Sequence, residues 1–216
     1  MREIRLMKTA FVLAGGKGTR LGDTLPPKGM LVVNGRTMLD RQLDWLEGEG
    51  FDNVVLCLGH RHDEVKYEKR KMNILVSVEK SPLGTGGAIK QAVVNNFELC
   101  KDGVYVLNVD DMAKVNTGSV FERSRSLDKS LIVAKPVPFS VWVQNRMHPQ
   151  NTAVQHIGHT FLKSGDVVAL KSLPDAFSIE KQVSEWCDRF DAFVHDGSWV
   201  TVNSGEQLEQ AQKLVK

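Results

Sequence analysis

The sequence predicts an α/β fold with a mostly parallel, mixed central sheet flanked by helices. Compact apolar runs at residues 9–13, 54–58, 74–78 and 104–108 are typical of buried parallel strands. Segments with helical spacing of apolar residues separate these runs, since Leu39, Leu43 and Leu46 fall on one side of residues 38–48 and a second helical pattern covers 84–96. This alternation indicates right-handed β-α-β crossovers, and ligands of such sheets bind beyond the carboxyl ends of the strands.

The pattern changes after about residue 128. Residues 131–137 and 141–144 read as strands, a polar stretch follows at 145–155, and 156–158 with 161–162 suggest another strand. Helices are expected at 178–190 and 206–215. We therefore expect a single Rossmann-like domain in which the second part forms a small substrate lobe built onto the same sheet.

Composition excludes several classes of function. The chain has 216 residues and a formal net charge of +2, with cations scattered among carboxylates, so no nucleic-acid footprint is expected. Three widely spaced cysteines match neither a metal site nor a disulfide framework and favour a reducing, cytoplasmic compartment. The sequence shows neither an apolar run of membrane-spanning length nor a signal-peptide pattern, so no membrane partner is expected.

The first glycine-rich turn is the strongest indication of function. The strand at 9–13 runs into Ala-Gly-Gly-Lys-Gly-Thr-Arg at residues 14–20, and Pro27-Lys28 follows. Glycines let backbone N–H groups approach phosphate oxygens, while Arg20 and Lys28 add positive charge. The spacing fits neither the P-loop nor the dinucleotide fingerprint, whose third glycine would stand at Leu21. A surface turn with solvated cations is the alternative interpretation.

Three further segments extend the pattern. A second glycine-rich run, Pro-Leu-Gly-Thr-Gly-Gly-Ala-Ile, covers residues 82–89. Two carboxylates, Asp110 and Asp111, follow the strand at 104–108, and the closing segment 199–208 begins with Trp199. Together with the first turn these segments resemble the sugar-1-phosphate nucleotidyltransferases. Within that family the two glycine-rich segments look most like guanylyltransferases of mannose- or heptose-type 1-phosphates.

The resemblance implies a reaction and a division of the chain. A sugar 1-phosphate would attack the α-phosphorus of an NTP and expel pyrophosphate, with Arg20 on the β- and γ-phosphates, Lys28 at the α-phosphoryl group, and Asp110 binding Mg²⁺. Asp111 would point away from Asp110 if the strand continues. The nucleotide-binding part would span about 8–128 and the sugar-phosphate lobe about 129–204, with a C-terminal helix at 205–216; a homo-oligomer is compatible with this assignment.

Glu79 bears on the choice of base. Many relatives place a base-reading Gln at this position, whereas a carboxylate only accepts hydrogen bonds and so complements the two adjacent donors of guanine, which favours GTP. A solvated strand-end charge, or a pair with Lys80, is the alternative. The residues that the resemblance assigns to the nucleotide are Leu13, Ala14, Gly15, Gly16, Gly18, Thr19, Glu79, Pro82, Gly84, Thr85 and Asn108.

A second metal ligand is less evident. Many members of the family carry an Asp where Thr201 stands, but some uridylyltransferases use an Asn in a Val-Asn context, which Val202-Asn203 matches. Asn203 is therefore the expected second Mg²⁺ ligand. The alternative places it in an ordinary helix N-cap region, a role that Ser204 could equally serve.

Departures from the family pattern leave other functions open. Val109 stands where a glycine is usual, and the Lys of the Glu-Lys-Pro segment is missing, with Arg146 as a candidate substitute. His148, His156 and His159 show no metal-ligand spacing. The alternatives are a cytidylyl- or uridylyltransferase acting on another phosphate, and a nucleotide-binding regulatory protein with weakened catalysis.

Overall fold

The computed structural model describes residues 6–18, 25–136 and 154–214. Short 3₁₀ turns cover Lys28–Met30, His62–Glu64, Phe97–Cys100 and Cys187–Arg189. The strands are β1 (Thr9–Leu13), β2 (Val32–Val33), β3 (Arg36–Thr37), β4 (Asn53–Leu58), β5 (Asn73–Val78), β6 (Val104–Asn108), β7 (Asp111–Ala113), β8 (Ser130–Pro136), β9 (Val154–Leu162), β10 (Phe190–Val194) and β11 (Trp199–Thr201). The helices are α1 (Met38–Gly48), α2 (Gly84–Asn95), α3 (Thr117–Leu127), α4 (Ser164–Leu170), α5 (Ile179–Glu185) and α6 (Gly205–Leu214).

Seven strands form the central sheet in the order β10-β8-β9-β6-β1-β4-β5. Strands β1, β4, β5 and β6 run parallel to one another, and β10 runs parallel to β8. Strand β9 is antiparallel to both of its neighbours. The predicted α/β fold with a mostly parallel, mixed sheet is therefore confirmed, and strands β8, β9 and β10, which follow residue 128, extend that same sheet.

Apolar side chains cover both faces of the sheet. One cluster joins Ala10 and Val12 of β1 to α1, and the opposite face joins Phe11 to α2, α4 and α5. This alternation follows from the two-residue period of a strand. A third cluster packs Val33 of the β2–β3 hairpin against β11 and α6. The hairpin therefore holds the segment after β11 close to the 3₁₀ turn that contains Lys28.

One predicted element needs correction. The helix expected at 178–190 ends at Glu185, because Trp186 leaves helical geometry, and a 3₁₀ turn then leads into β10. Phe190 is fully buried and opens a strand parallel to β8, so sheet pairing overrides the helical spacing there. The further strand expected from 156–158 and 161–162 is strand β9, whose Gly158 has a φ of +75°. The strand expected at 141–144 lies outside the described residues.

Among the described helices, none combines the length and the apolar character that crossing a bilayer requires.

Candidate active site

A cleft of about 750 Å³ opens at the carboxyl ends of β1, β4, β5 and β6. This is the edge where parallel α/β sheets bind their ligands. Eleven of the sequence-predicted residues line it: Leu13, Ala14, Gly15, Gly16, Lys28, Glu79, Pro82, Gly84, Thr85, Asn108 and Asp110.

The first glycine-rich turn passes close to the loop that follows β4. A Cβ added at Gly15 would lie 3.0 Å from the backbone nitrogen of Gly59, and the carbonyl of Gly15 accepts a hydrogen bond from His60 N at 3.2 Å. Gly16 faces open space, and Gly18 has a φ of +64°, a left-handed conformation that favours glycine. The predicted Thr19 and Arg20 lie outside the described residues.

Three predicted side chains from distant parts of the chain meet at one point. The ammonium Nζ of Lys28 donates to Asp110 Oδ2 and to Asn203 Oδ1, each at 2.6 Å. The side chains of Lys28 and Asp110 are 19% and 14% exposed, so the ion pair is largely removed from solvent. Burial raises the pKa of the Asp110 carboxyl, and the charge of Lys28 opposes that rise.

The orientation of Asn203 fits the binding of a hard cation. Its Nδ2 donates to Thr201 Oγ1 at 2.8 Å, which directs Oδ1 toward Asp110 and Lys28. Ser204 Oγ accepts a hydrogen bond from Gln207 N, so Ser204 caps the following helix and leaves the Asn203 amide to face the site. One carboxylate and one amide oxygen match the few protein ligands that Mg²⁺ uses beside phosphate oxygens and water. The described residues contain no group of three or more His, Cys, Asp or Glu side chains placed to hold a metal ion.

Glu79 lies inside the cleft wall. Its Oε2 accepts a hydrogen bond from Leu83 N at 3.1 Å. A Cβ added at Gly59 would lie 2.6 Å from Glu79 Oε1, and one added at Gly15 would lie 3.3 Å from it. The carboxylate therefore fits against two glycine backbones, in a position that a larger residue at 59 would disturb.

The second glycine-rich turn has a packing role that the sequence did not reveal. Gly86 N and Gly87 N both donate to the carbonyl oxygen of Phe177, at 3.0 and 3.3 Å. A Cβ on Gly86 would lie 2.2 Å from the Phe177 ring, and one on Gly87 would lie 2.2 Å from Asp175 O. These glycines are therefore explained by contact with the loop before α5 without any phosphate.

The hydroxyl of Thr85 is also occupied by that loop and by α5. It donates to Glu180 Oε2 at 2.7 Å and accepts from Ile179 N at 3.0 Å. Gly84 lines the cleft and has a φ of +72°. The turn thus presents its backbone near Gly84 to the cleft, since the Thr85 hydroxyl bonds Glu180 and Ile179.

The structure accounts for two features near the end of β6. The Val109 side chain is 1% exposed and belongs to the core, so only its backbone borders the cleft. Asp111 points away from Lys28 and accepts hydrogen bonds from Asn108 Nδ2 and Trp199 Nε1.

The histidines of the second half are structural where they are described. His159 is fully buried, its Nε2 lies 2.9 Å from Asp111 O, and its Nδ1 lies 3.1 Å from the Tyr105 hydroxyl. Burial lowers the pKa of His159 to about 4, which keeps the ring neutral. His156 Nε2 lies 3.0 Å from His159 O. His148 and Arg146 lie outside the described residues.

Sequence reasoning missed several residues of the cleft. Lys17, Gly59, His60, His62 and Lys80 all line it. The available signal was position, because Gly59 and His60 directly follow β4 and Lys80 follows β5 at the ligand-binding edge of the sheet.

Fold and site together define a nucleotide-binding α/β protein whose cleft gathers a glycine-rich turn, a lysine and a carboxylate at one sheet edge. Residues 10–120 match the family described as the MobA-like NTP transferase domain. The chain belongs to this family and is a nucleotidyltransferase, which confirms the resemblance seen in the sequence.

Curated relatives and solved structures agree with this assignment. D-glycero-alpha-D-manno-heptose 1-phosphate guanylyltransferase of Aneurinibacillus thermoaerophilus is 26% identical, and the alignment covers 94% of this chain and 96% of that protein. The enzyme of the same name from Campylobacter jejuni is 36% identical over 47% of each chain. The solved structure of HddC from Yersinia pseudotuberculosis complexed with GMP-PN has a TM-score of 0.75 at 24% identity, covering 97% of this chain and all of that one, and shows a shared fold.

Proposed function

We propose that the protein transfers guanylyl from GTP to a sugar 1-phosphate in a Mg²⁺-dependent reaction, giving a GDP-sugar and pyrophosphate. The observation that carries this proposal is the convergence of Lys28, Asp110 and Asn203 at the edge of the cleft lined by Gly15, Gly16 and Glu79. A binding site for an uncharged ligand would have no use for a buried ammonium beside a glycine-rich turn.

The proposed chemistry is a phosphoryl substitution in which positioning and charge neutralisation supply most of the rate. A phosphate oxygen of the sugar 1-phosphate forms a bond to the α-phosphorus of GTP, and the bond from that phosphorus to the α–β bridging oxygen breaks. Pyrophosphate leaves with the electron pair. Lys28 stabilises the charge that grows on the α-phosphoryl oxygens, and Arg20 keeps the role assigned from the sequence, at the leaving pyrophosphate.

Asp110 and Asn203 would hold the metal ion. When bound there, Mg²⁺ would supply positive charge that neutralises the phosphate groups of the nucleotide. The Thr201 hydroxyl supports this role because it holds the amide nitrogen of Asn203 and so directs the oxygen inward. Thr201, which replaces the usual Asp of the family, thereby contributes to the site through Asn203.

Glu79 supports guanine as the base. Guanine presents N1–H and the 2-amino group side by side, and a carboxylate can accept from both. Leu83 N and the backbones of Gly15 and Gly59 fix the carboxylate on the cleft wall. Uracil offers one donor between two acceptors, which a carboxylate would face unfavourably.

The relatives suggest the sugar. The heptose 1-phosphate enzymes carry the manno configuration in their name, and mannose-1-phosphate guanyltransferase of Neurospora crassa is 29% identical over 87% of this chain. We therefore propose a sugar 1-phosphate of manno configuration as the acceptor. The three cysteines are free thiols, in keeping with the cytoplasmic location proposed for this reaction.

The test is a turnover assay with the four common NTPs, Mg²⁺ and a panel of sugar 1-phosphates, with pyrophosphate release and nucleotide-sugar formation measured by mass spectrometry. GTP with a manno-configured sugar should give the highest kcat/KM, and Asp110→Asn should abolish turnover. Asp166→Asn is the matched control, because Asp166 is a buried aspartate that contacts Ser130 and Arg189 instead of the cleft. Turnover with UTP or CTP alone would refute the base assignment, and nucleotide binding without turnover of any acceptor would refute the enzyme.

A further inference from the structure

Asp111 joins four separate parts of the fold. Its Oδ2 accepts from Asn108 Nδ2 at 2.9 Å and its Oδ1 accepts from Trp199 Nε1 at 3.1 Å. Its backbone oxygen lies 2.9 Å from both Gln42 Nε2 and His159 Nε2. The residue is 8% exposed, so these contacts are shielded from water.

The carboxylate of Asp111 fits only because residue 158 is a glycine. Gly158 has a φ of +75°, and a Cβ placed there would lie 2.0 Å from Asp111 Oδ2. Any larger residue at 158 would therefore displace Asp111 as well as strain the backbone. The pairing of a left-handed glycine with a buried carboxylate indicates a site that is built for Asp111.

We propose that Asp111 is a positioning residue that sets the spacing between Asp110 and Asn203. This inference rests on the proposed function, in which those two side chains hold the metal ion. Asp111 touches no reacting atom; it acts through β11, the strand that leads into Asn203.

The path from Asp111 to Asn203 is short and direct. Thr201 of β11 pairs with Asp111 of β7, and Val202 N donates to Asp110 O at 3.0 Å. Strands β7 and β11 form a two-stranded sheet of three residues each, which is marginal without further support. The bond from Trp199 to Asp111 supplies that support at the opposite end of β11 from Asn203.

The test compares Asp111→Asn, Asp111→Ala, Trp199→Phe and the Asp111→Ala/Trp199→Phe double variant. The Asn side chain keeps the shape of Asp111 but presents an NH₂ group to one of two donors, so one hydrogen bond is lost. Trp199→Phe removes the other end of the same contact and keeps an aromatic ring. Changes in residues that support metal ligands typically cost 10- to 100-fold in metal affinity or activity, so we expect the KM for Mg²⁺ to rise at least about tenfold and kcat to fall about 10- to 100-fold.

Three readouts separate positioning from a general loss of stability. The KM for GTP should stay within about threefold of wild type, because Glu79 lies on the far side of the cleft from β11. In a cycle of Asp111→Ala with Trp199→Phe, the double variant should be no worse than the poorer single variant, because both changes remove the same hydrogen bond between Trp199 Nε1 and Asp111 Oδ1. Ser130→Ala is the matched control: it removes a buried hydrogen bond to Asp166 at 2.6 Å and should lower the melting temperature without changing the KM for Mg²⁺.

Two outcomes would overturn the proposal: an unchanged Mg²⁺ dependence in Asp111→Ala, or additive effects in the Asp111→Ala/Trp199→Phe double variant. A crystal structure of Asp111→Asn that retains the wild-type separation of Asp110 Oδ2 and Asn203 Oδ1 would also overturn it. That distance is independent of turnover. Wild-type protein that turns over no NTP would instead refute the proposed function, while the distance would still decide the role of Asp111.

Discussion

The position of Glu79 makes base recognition the sharpest test of the site. The substitution Glu79→Gln keeps the size of the side chain and replaces one acceptor oxygen with a donor NH₂ group. Leu83 N requires an acceptor, so the remaining oxygen should stay on Leu83 and the NH₂ group should face the base. Guanine would then meet a donor where it needs an acceptor.

The expected penalty follows from the charge of the lost interaction. A hydrogen bond to a charged group contributes about 1.5–3 kcal/mol, which corresponds to roughly a 10- to 150-fold loss in kcat/KM for GTP. The kcat/KM for UTP should stay equal or rise, since uracil offers carbonyl acceptors that the new NH₂ group can reach. Steady-state assays of pyrophosphate release with GTP and UTP measure both values.

Two comparisons make this prediction decisive. Glu64→Gln is a matched control, because Glu64 is exposed and pairs with Arg61 instead of lining the cleft. Gly59→Ala should reproduce the GTP defect without changing Glu79 itself, because its Cβ would lie 2.6 Å from Glu79 Oε1. A Glu79→Gln variant with wild-type discrimination between GTP and UTP would refute the base assignment.

Three further predictions concern charge, pH and packing. Lys28→Met removes the ammonium group from Asp110, so Mn²⁺ titrated without nucleotide and followed by electron paramagnetic resonance should bind about tenfold tighter. Unchanged Mn²⁺ binding would contradict the idea that the ammonium and the metal ion share one position beside Asp110. His159 is neutral when folded because its pKa is lowered to about 4, so protons favour the unfolded chain as pH falls below the unfolded pKa of about 6.5. Its full contribution is therefore present above that pH, and about 1 kcal/mol of unfolding free energy should be lost between pH 7.5 and 5.5 in urea titrations; a loss of equal size in His159→Gln would count against this assignment. Gly87→Ala places a Cβ 2.2 Å from Asp175 O and should destabilise the fold by about 1–3 kcal/mol, seen as a lower melting temperature with an unchanged KM for GTP.

The elements that sequence predicts best are those with a strong local pattern. The parallel strands that border the cleft are mostly apolar runs, and α1 shows regular spacing of Leu39, Leu43 and Leu46, so both were found with bounds close to the observed ones. Strands β7 and β11 contain three residues each, too few to show a period of two. Strand β10 was not predicted for a different reason. Pairing with β8, which lies some sixty residues earlier in the chain, makes residues 190–194 a strand.

Glycine-rich segments show where sequence reasoning about a site reaches its limit. Both turns have the composition of phosphate-binding loops, but Gly86 and Gly87 pack against Phe177 and Asp175, about ninety residues later. A glycine in a sequence indicates that the position needs space or an unusual φ, but it does not identify the neighbouring group that requires this. The two turns differ in their lysines: Lys28, which follows the first turn, bonds Asp110 in the cleft, whereas Lys90, which follows the second, bonds Asp175 outside it.

The positions of the side chains explain most of the departures from the family pattern, which therefore give less support to a catalytically weakened protein. Val109 faces the core and is 1% exposed, so its side chain does not enter the cleft. Thr201 serves Asn203 through a hydrogen bond at 2.8 Å. Two of the three features that favoured a catalytically weakened protein are therefore compensated within the same few ångströms. Catalysis then requires that Asp111 and Trp199 hold β11 in place. Asn203 must stay beside Asp110 when a bound triphosphate attracts the ammonium group of Lys28.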